Sequence, residues 1–324
     1  MGEAFAGHTV GKKAMIWGIL AQSVPDIDFL AAFWLDTPSN LLAHRGFTHS
    51  ILFSALMTML LAILAERWHR PHNISLAKWI AFFGAVILGH IFLDAYNNYG
   101  VGWFEPFSHT RISFNILYVA DPFFSAIPAI AFVMLLWFKK NNTKRKFLWR
   151  FGLGMSLLYL GYCVINKVTI NRNVKKMLAK QQIHYTRFLT TPAPLQNWLW
   201  YIVAGTDSGY YVGYRSVFEH SNKLALEFFP SNDSLLQPVE HTKEVEQLIR
   251  FSQHFYTVEK KRDTLIFNDL RFGQIIGWQN PKEQFVFYYF LQPEIDNTLV
   301  VQRGRFAKWD EESFKSMVRR IRGD

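Results

Sequence analysis

The sequence predicts a membrane α-helical bundle, about four spanning helices plus a broken N-terminal helical segment, joined to a C-terminal soluble α+β domain. Three observations carry this. Apolar runs fill residues 14–165. Residues 205–324 change to short strand-like runs separated by amphipathic helices, the pattern of a small α+β fold. Basic residues gather beside the apolar runs, where they fix topology or touch anionic headgroups. The 324 residues leave room for about two domains at roughly 150 residues each. The expected division is a membrane-embedded helical domain over 1–166, a helical and aromatic connector over 167–204, and the soluble domain over 205–324.

Residues 14–35 are apolar but broken by Pro25, Asp26 and Asp28. An unbroken lipid-facing helix there would be costly, so two short helices around a buried polar turn are expected. The four spans are 50–65, 79–93, 122–138 and 151–165, each 15 to 17 residues. That is short of the ~20 that cross a bilayer core, so polar flanks must enter the helices or the bilayer must thin. The short link 66–78 makes the first two spans a hairpin. His44 and His49 precede the first span while His90 and Asp94 close the second, which puts all four at one membrane face. The third span leaves that face and the fourth returns to it. The opposite face carries Arg67, Arg70, Lys78 and the basic block 139–150, and the positive-inside bias makes it cytoplasmic. The site and the C-terminal domain are then extracytoplasmic, although the basic stretch 167–187 argues the other way. Beyond the spans, 166–204 read as a helix, a Thr-Pro-Ala-Pro turn and an aromatic segment. Strands follow at 210–217, 223–229, 264–267, 284–291 and 298–302, with helices at 239–255 and 310–321.

The net charge of +10 raises nucleic acid as a partner, but no recognition motif accompanies it and the charge sits beside apolar runs. Membrane lipids are the expected partners instead. The single cysteine, Cys163, excludes an intramolecular disulfide and a cysteine-rich zinc site. The first residues lack the cleavage pattern of a signal peptide.

Three motifs carry chemistry. In HRGFTHS, His44 and His49 lie on a turn entering a helix, where both rings can converge on one point; Arg45 adds positive potential for an anionic oxygen. Two interfacial histidines are the plainer reading. In GHIFLDAY, His90 and Asp94 are four apart and stack on one helix face, suited to a borderline cation. A His–Asp hydrogen bond that satisfies two buried groups is the alternative, weakened by the membrane setting. In VPDIDF, Asp26 and Asp28 sit among apolar residues and need a counter-charge, which a metal supplies. His8 and Asp121 are weaker candidate ligands. Arg111 either orients a phosphate bidentately or snorkels to headgroups. His69 and His72 look like solvated surface.

Read in order, PDID (25–28), HRGFTHS, His90 with Asp94, PFSHTR (106–111) and Asp121-Pro122 resemble the membrane-bound metal-dependent hydrolases of the LexA-binding-like inner-membrane type. The resemblance covers roughly residues 1–215, with His8 and TPAPLQNWLW as further shared features. One departure is Gly100-Val101, where that family has Gly-Thr. The helix bearing His90 and Asp94 is also similar to that of zinc-dependent phospholipase C and the S1/P1 nucleases, which implies phosphoester chemistry without fixing the reaction.

The expected metal ligands are His8, Asp26, Asp28, His44, His49, His90, Asp94 and Asp121, and the expected catalytic residues are Asp26, Asp28, Arg45 and Arg111. Mixed His/Asp ligation favours zinc, with manganese second. The expected activity is hydrolysis of a lipid or lipid-linked phosphoester by metal-activated water, with an unliganded aspartate as base. Thr48 and Asn97 would orient ligands or substrate. Two other functions compete: an ion transporter, which predicts midplane carboxylates and repeated halves, and an inactive scaffold with a structural metal site.

Overall fold

The computed structural model describes residues 1–71, 74–139, 141–239, 242–291, 306 and 308–323. It divides into two compact units. The first comprises Met1–Leu35, Leu42–Phe114 and Val119–Tyr162, and the second Asp36–Leu41, Asn115–Tyr118 and Cys163–Asp324.

The first unit is helical. After a π-helical turn (Glu3–Gly7) come α1 (His8–Val10) and α2 (Lys13–Ser23), then a 3-10 stretch Pro25–Phe33. The expected break is present: α2 and the 3-10 stretch bend by 52° around Val24 and Pro25. Helices α4 (Ile51–Trp68) and α5 (Leu76–Asp94) form the expected hairpin. Ser50 starts α4 by accepting from the Phe53 amide at 3.0 Å, and Ser75 does the same for α5, supplying acceptors that a helix start otherwise lacks. Small residues let these helices approach: Ala62 and Ala65 of α4 and Ala14 and Ala21 of α2 pack against Trp79, Phe82, Phe83 and Val86 of α5. Leu56, Leu60 and Leu64 stand four apart on the exposed side of α4, where a lipid-facing stripe belongs.

Among the described residues, α4, α5 and α7 (Lys144–Lys180) are long and apolar enough to cross a membrane, and the bent N-terminal pair makes a fourth if it counts as one span. Helix α6 (Pro122–Trp137) is apolar but has 16 residues, about 24 Å, short of a ~30 Å hydrocarbon core. The expected fourth span is part of a single 37-residue helix, about 55 Å, whose second half lies in the second unit.

The second unit holds two antiparallel sheets, in order β1-β2-β3-β4 and β5-β6-β7. The strands are β1 (Arg187–Pro192), β2 (Leu199–Gly205), β3 (Gly209–Ser216), β4 (Leu226–Pro230), β5 (Tyr256–Lys261), β6 (Thr264–Gln274) and β7 (Phe285–Phe290). Its helices are α8 (Lys243–Phe251) and α9 (Glu311–Arg322), and the short α3 (Thr37–Ala43) begins in it. Strand β2 explains why 167–204 does not read as a strand region from its sequence. Tyr201 and Val203 pack with Leu270, Phe285 and Met317, while Trp200, Ile202 and Ala204 pack against Ile170, Val174 and Leu178 of α7. A strand covered on both faces loses its alternation and reads as a plain apolar run. The segment expected as a connector therefore supplies the C-terminal end of α7, strand β1 and nearly all of β2. Strand β5 went unanticipated because its last three residues, Glu259 to Lys261, are exposed and charged. The strand expected at 298–302 lies outside the described residues.

Candidate metal centre

Four side chains from three elements converge at one end of the α4–α5 hairpin. Asp26 comes from the 3-10 stretch, His49 from a short 3-10 turn (Phe47–His49), and His90 and Asp94 from successive turns of α5. One ligand atom from each lies within 4.8 Å of every other. The contacts between them are shorter and more uniform than that limit. His49 Nε2 lies 3.4 Å from His90 Nε2, 3.5 Å from Asp26 Oδ1 and 3.3 Å from Asp94 Oδ2. His90 Nε2 lies 3.5 Å from both Asp26 Oδ1 and Asp94 Oδ2. A tetrahedron of ligands at zinc-like bond lengths of 2.0–2.2 Å has edges of roughly 3.3–3.5 Å. Five edges of the group fall in that range.

The donor chemistry agrees with the spacing. Asp94 Oδ2 is buried at ion-pair distance from three nitrogens, yet it receives no hydrogen bond of acceptable geometry. A buried carboxylate oxygen aimed at other ligand atoms, without a well-formed hydrogen bond, is suited to a cation between them. Three aspartates here face one guanidinium, that of Arg45, so two neutral imidazoles leave a negative pocket that a divalent ion balances. In the metal-free protein, burial works against a charged His49. The carboxylates of Asp26, Asp28 and Asp94 outweigh it and raise the imidazole to about 10.

Asp28 stands behind the group rather than in it. It accepts from His44 Nδ1 at 3.0 Å, the Arg45 amide at 2.7 Å and Thr48 Oγ1 at 3.0 Å, and lies 3.2 Å from His49 Nδ1. A carboxylate on Nδ1 fixes the tautomer that presents Nε2 as the ligand atom. Gln22 plays the same part for His90, its amide 2.8 Å from Nδ1. Gln22 was missed from the sequence, although it stands four residues before Asp26 in an otherwise apolar helix.

Local backbone chemistry explains HRGFTHS. Arg45 adopts φ 58°, and a Cβ on Gly46 would come within 2.8 Å of the Leu42 carbonyl oxygen, so the turn admits little else there. Arg45 Nε lies 3.2 Å from Asp94 Oδ2 and its guanidinium stacks over Tyr99 at 5.2 Å. Its Nη1 is buried with no hydrogen-bond partner among the described residues.

The remaining predicted residues are placed elsewhere. Arg111 is buried, and its guanidinium donates to the carbonyls of Leu42 (3.1 Å), His44 (2.7 Å) and Gly100 (3.0 Å). It braces the turn that carries His44 and is not presented to a phosphate. Gly100 has φ 79°, and Val101, the departure from Gly-Thr, is buried in a bridge with Ile112. Asp121 caps α6 through the amides of Phe123 and Phe124 and accepts from Tyr159 at 2.9 Å, outside the converging group. His8 lies at the far end of α2, about 16 Å of helix away, because eleven residues of α2 separate it from the turn. Neither belongs to the group, and His44 contributes through Asp28. Asn97 accepts from the Tyr99 amide at 3.0 Å, shaping the loop rather than touching a ligand. His69 is buried, not solvated: it accepts from Trp17 Nε1 at 2.8 Å and stacks on Trp79. His72 lies outside the described residues.

Comparison with known proteins gives relatives for much of the chain. The family profile described as YdjM inner membrane protein matches residues 1–170. An inner membrane protein of Escherichia coli K12, YbcI, is 30% identical over 113 residues, 34% of this chain and 64% of its own length. The Bacillus subtilis 168 protein YfhP is 26% identical over 208 residues, 64% of this chain and 59% of its own. The chain thus spans about three fifths of the length of these relatives. No solved structure matches it.

Proposed function

We propose, from the premise that this chain belongs to the YdjM inner membrane protein family, that it is a membrane-bound hydrolase cleaving a phosphoester of a lipid or lipid-linked substrate at a divalent metal. The observation that carries the reading is the near-tetrahedral group of Asp26, His49, His90 and Asp94 at the end of an apolar hairpin. Zinc fits two imidazoles and two carboxylates best, with manganese next. Such an ion, when bound, supplies an activated water and neutralises charge on phosphoester oxygens.

The chain's own residues divide the remaining work. Asp28 takes several donors and is only 3% exposed, so it orients His49 and does not move protons. Asp26 has a side chain 51% exposed, and with Oδ1 in the ligand group its second oxygen is the one open to receive a proton from the attacking water. Arg45 Nη1, buried and with no hydrogen-bond partner among the described residues, is the donor suited to a phosphoryl oxygen. Placement at the hairpin end suits a headgroup at the membrane surface. The basic residues Arg67, Arg70 and Lys78 lie at the other end, which supports an extracytoplasmic group and C-terminal unit.

The test is hydrolysis by purified protein in lipid vesicles, with zinc or manganese, against phospholipids and lipid-linked phosphates. Turnover is expected to require the metal and to vanish in His90→Ala. Stoichiometric metal without turnover across the panel would replace the hydrolase with a structural metal site. A periplasmic reporter fused after Asp324 is expected to be active; silence reverses the orientation.

A further inference from the structure

At the opposite end of the helical unit from the metal group, a cleft of ≈ 380 Å³ is lined by His8, Asn142, Lys146 and Arg150 above the Glu3–Arg145 pair. That pair is buried and mutually neutralised, since Arg145 donates to both Glu3 oxygens and to the carbonyls of Leu135 and Phe138. Lys146 and Arg150 are exposed, and neither makes an ion pair among the described residues. They sit four apart on α7, a like-charge spacing that disfavours the helix unless an anion lies between them.

A second cavity, mostly apolar and ≈ 480 Å³, lies beside this cleft between the helices. Glu3 and Trp149 line both, so the two adjoin. The walls come from α2 (Gly18, Ile19), α5 (Val86), α6 (Ala131, Phe132) and α7 (Gly152), and end near Gln22 and Leu93. The helices that form them are apolar and membrane-embedded, where hydrocarbon chains are the available filler.

We infer that this cleft and groove together bind one anionic glycerophospholipid, its phosphate held by Lys146 and Arg150 and one acyl chain lying in the groove. Charge complementarity selects the headgroup: Lys146 and Arg150, whose guanidinium lies over Trp149 at 5.4 Å, have no carboxylate partner among the described residues, and two such cations over a neutral floor favour a phosphodiester without a compensating ammonium. Adjacency selects the tail, because a chain passing Trp149 meets mostly apolar walls, with Gln22 and Ser23 the polar exceptions beyond Glu3. A basic pocket between membrane helices is a general device for anionic lipid recognition. The headgroup cleft shares no residue with the metal group, while the far end of the groove reaches Gln22, which holds His90; the inference does not rest on the proposed hydrolysis.

The test uses full-length protein in neutral detergent, with lipid retention read by native mass spectrometry and thermal midpoints by fluorescence. Dioleoyl phosphatidylglycerol is expected to be retained at one per chain and to raise the midpoint; dioleoyl phosphatidylcholine is not. The double variant Lys146→Glu/Arg150→Glu is expected to weaken phosphatidylglycerol at least tenfold while leaving metal content unchanged. Ile19→Trp, at a half-exposed wall position, is expected to lose retention with both cations intact. Glycerol 1-phosphate is expected to bind at least a hundredfold more weakly than the lipid. Equal retention of the two lipids, or undiminished binding by the double variant, overturns the headgroup assignment. Equal binding of glycerol 1-phosphate overturns the tail. If Ile19→Trp fails to fold, the glycerol phosphate comparison still decides the groove.

Discussion

His90→Ala and Asp94→Ala are expected to purify without metal, whereas the wild type retains one transition-metal ion per chain by elemental analysis. Each substitution removes one corner of a four-residue group with edges of 3.3–3.5 Å about His49 and His90. No neighbouring side chain replaces it, since Asp28 is already engaged by His44, Arg45 and Thr48. The loss should exceed the ~10–100-fold that removal of an outer-shell partner costs. Asp28→Asn is expected to fall within that smaller range, because it keeps all four ligands while loosening the hold on His49 Nδ1. His8→Ala and Asp121→Asn should leave metal content unchanged, as both stand outside the group. Wild type without bound metal, or equal losses in all five variants, would remove the metal centre.

Proton release supplies a second check on the same group. The metal-free protein holds a proton on His49 at neutral pH, its imidazole being raised to about 10. Metal must displace that proton to use Nε2, so uptake releases at least one proton. The sign follows: the raised group favours the protonated, metal-free form below pH about 10. Affinity therefore falls as pH is lowered, by roughly tenfold per unit when one proton is released. Calorimetry in buffers of different ionisation enthalpy measures the count.

The parts of the site legible in the sequence are those that local spacing decides. His90 and Asp94 stack because they are four apart on a helix, and Asp26 converges because Pro25 and two acids interrupt an apolar run. His49 follows from its place one residue before the Ser50 cap. What spacing does not decide is rank within a cluster of potential ligands. Asp26 and Asp28 differ by two residues, yet one points at the ligand group and the other receives the Arg45 amide and the Nδ1 atoms of two histidines. That choice depends on the left-handed backbone of Arg45, a tertiary detail. His8 was drawn in by family likeness and lost by the length of α2. The same limit explains the C-terminal unit, where β3, β6 and β7 show in the sequence but the doubly covered β2 does not.

Arg111 shows the distinction most sharply, and its substitution is the second large effect expected. A basic residue beside a candidate phosphoesterase site reads as a phosphate clamp from sequence. In the structure its guanidinium is spread over three carbonyls, two from the turn that carries His44 and one from Gly100. Hydrogen bonds from a charged donor contribute about 1.5–3 kcal/mol each. Arg111→Met leaves all three acceptors buried, so a loss of roughly 3 kcal/mol or more is expected, with a lower thermal midpoint whether or not metal is present. Metal affinity should fall with it, because Arg45 and His49 lose the loop that aims them. Arg111→Lys should recover less than half of the stability: one ammonium cannot reproduce a planar fork reaching carbonyls from residues 42, 44 and 100. A clamp predicts the reverse pattern, with unchanged stability and metal content, a raised KM, and partial rescue by lysine. Thermal midpoints of the two variants, with and without zinc, separate a brace from a clamp before any substrate is known.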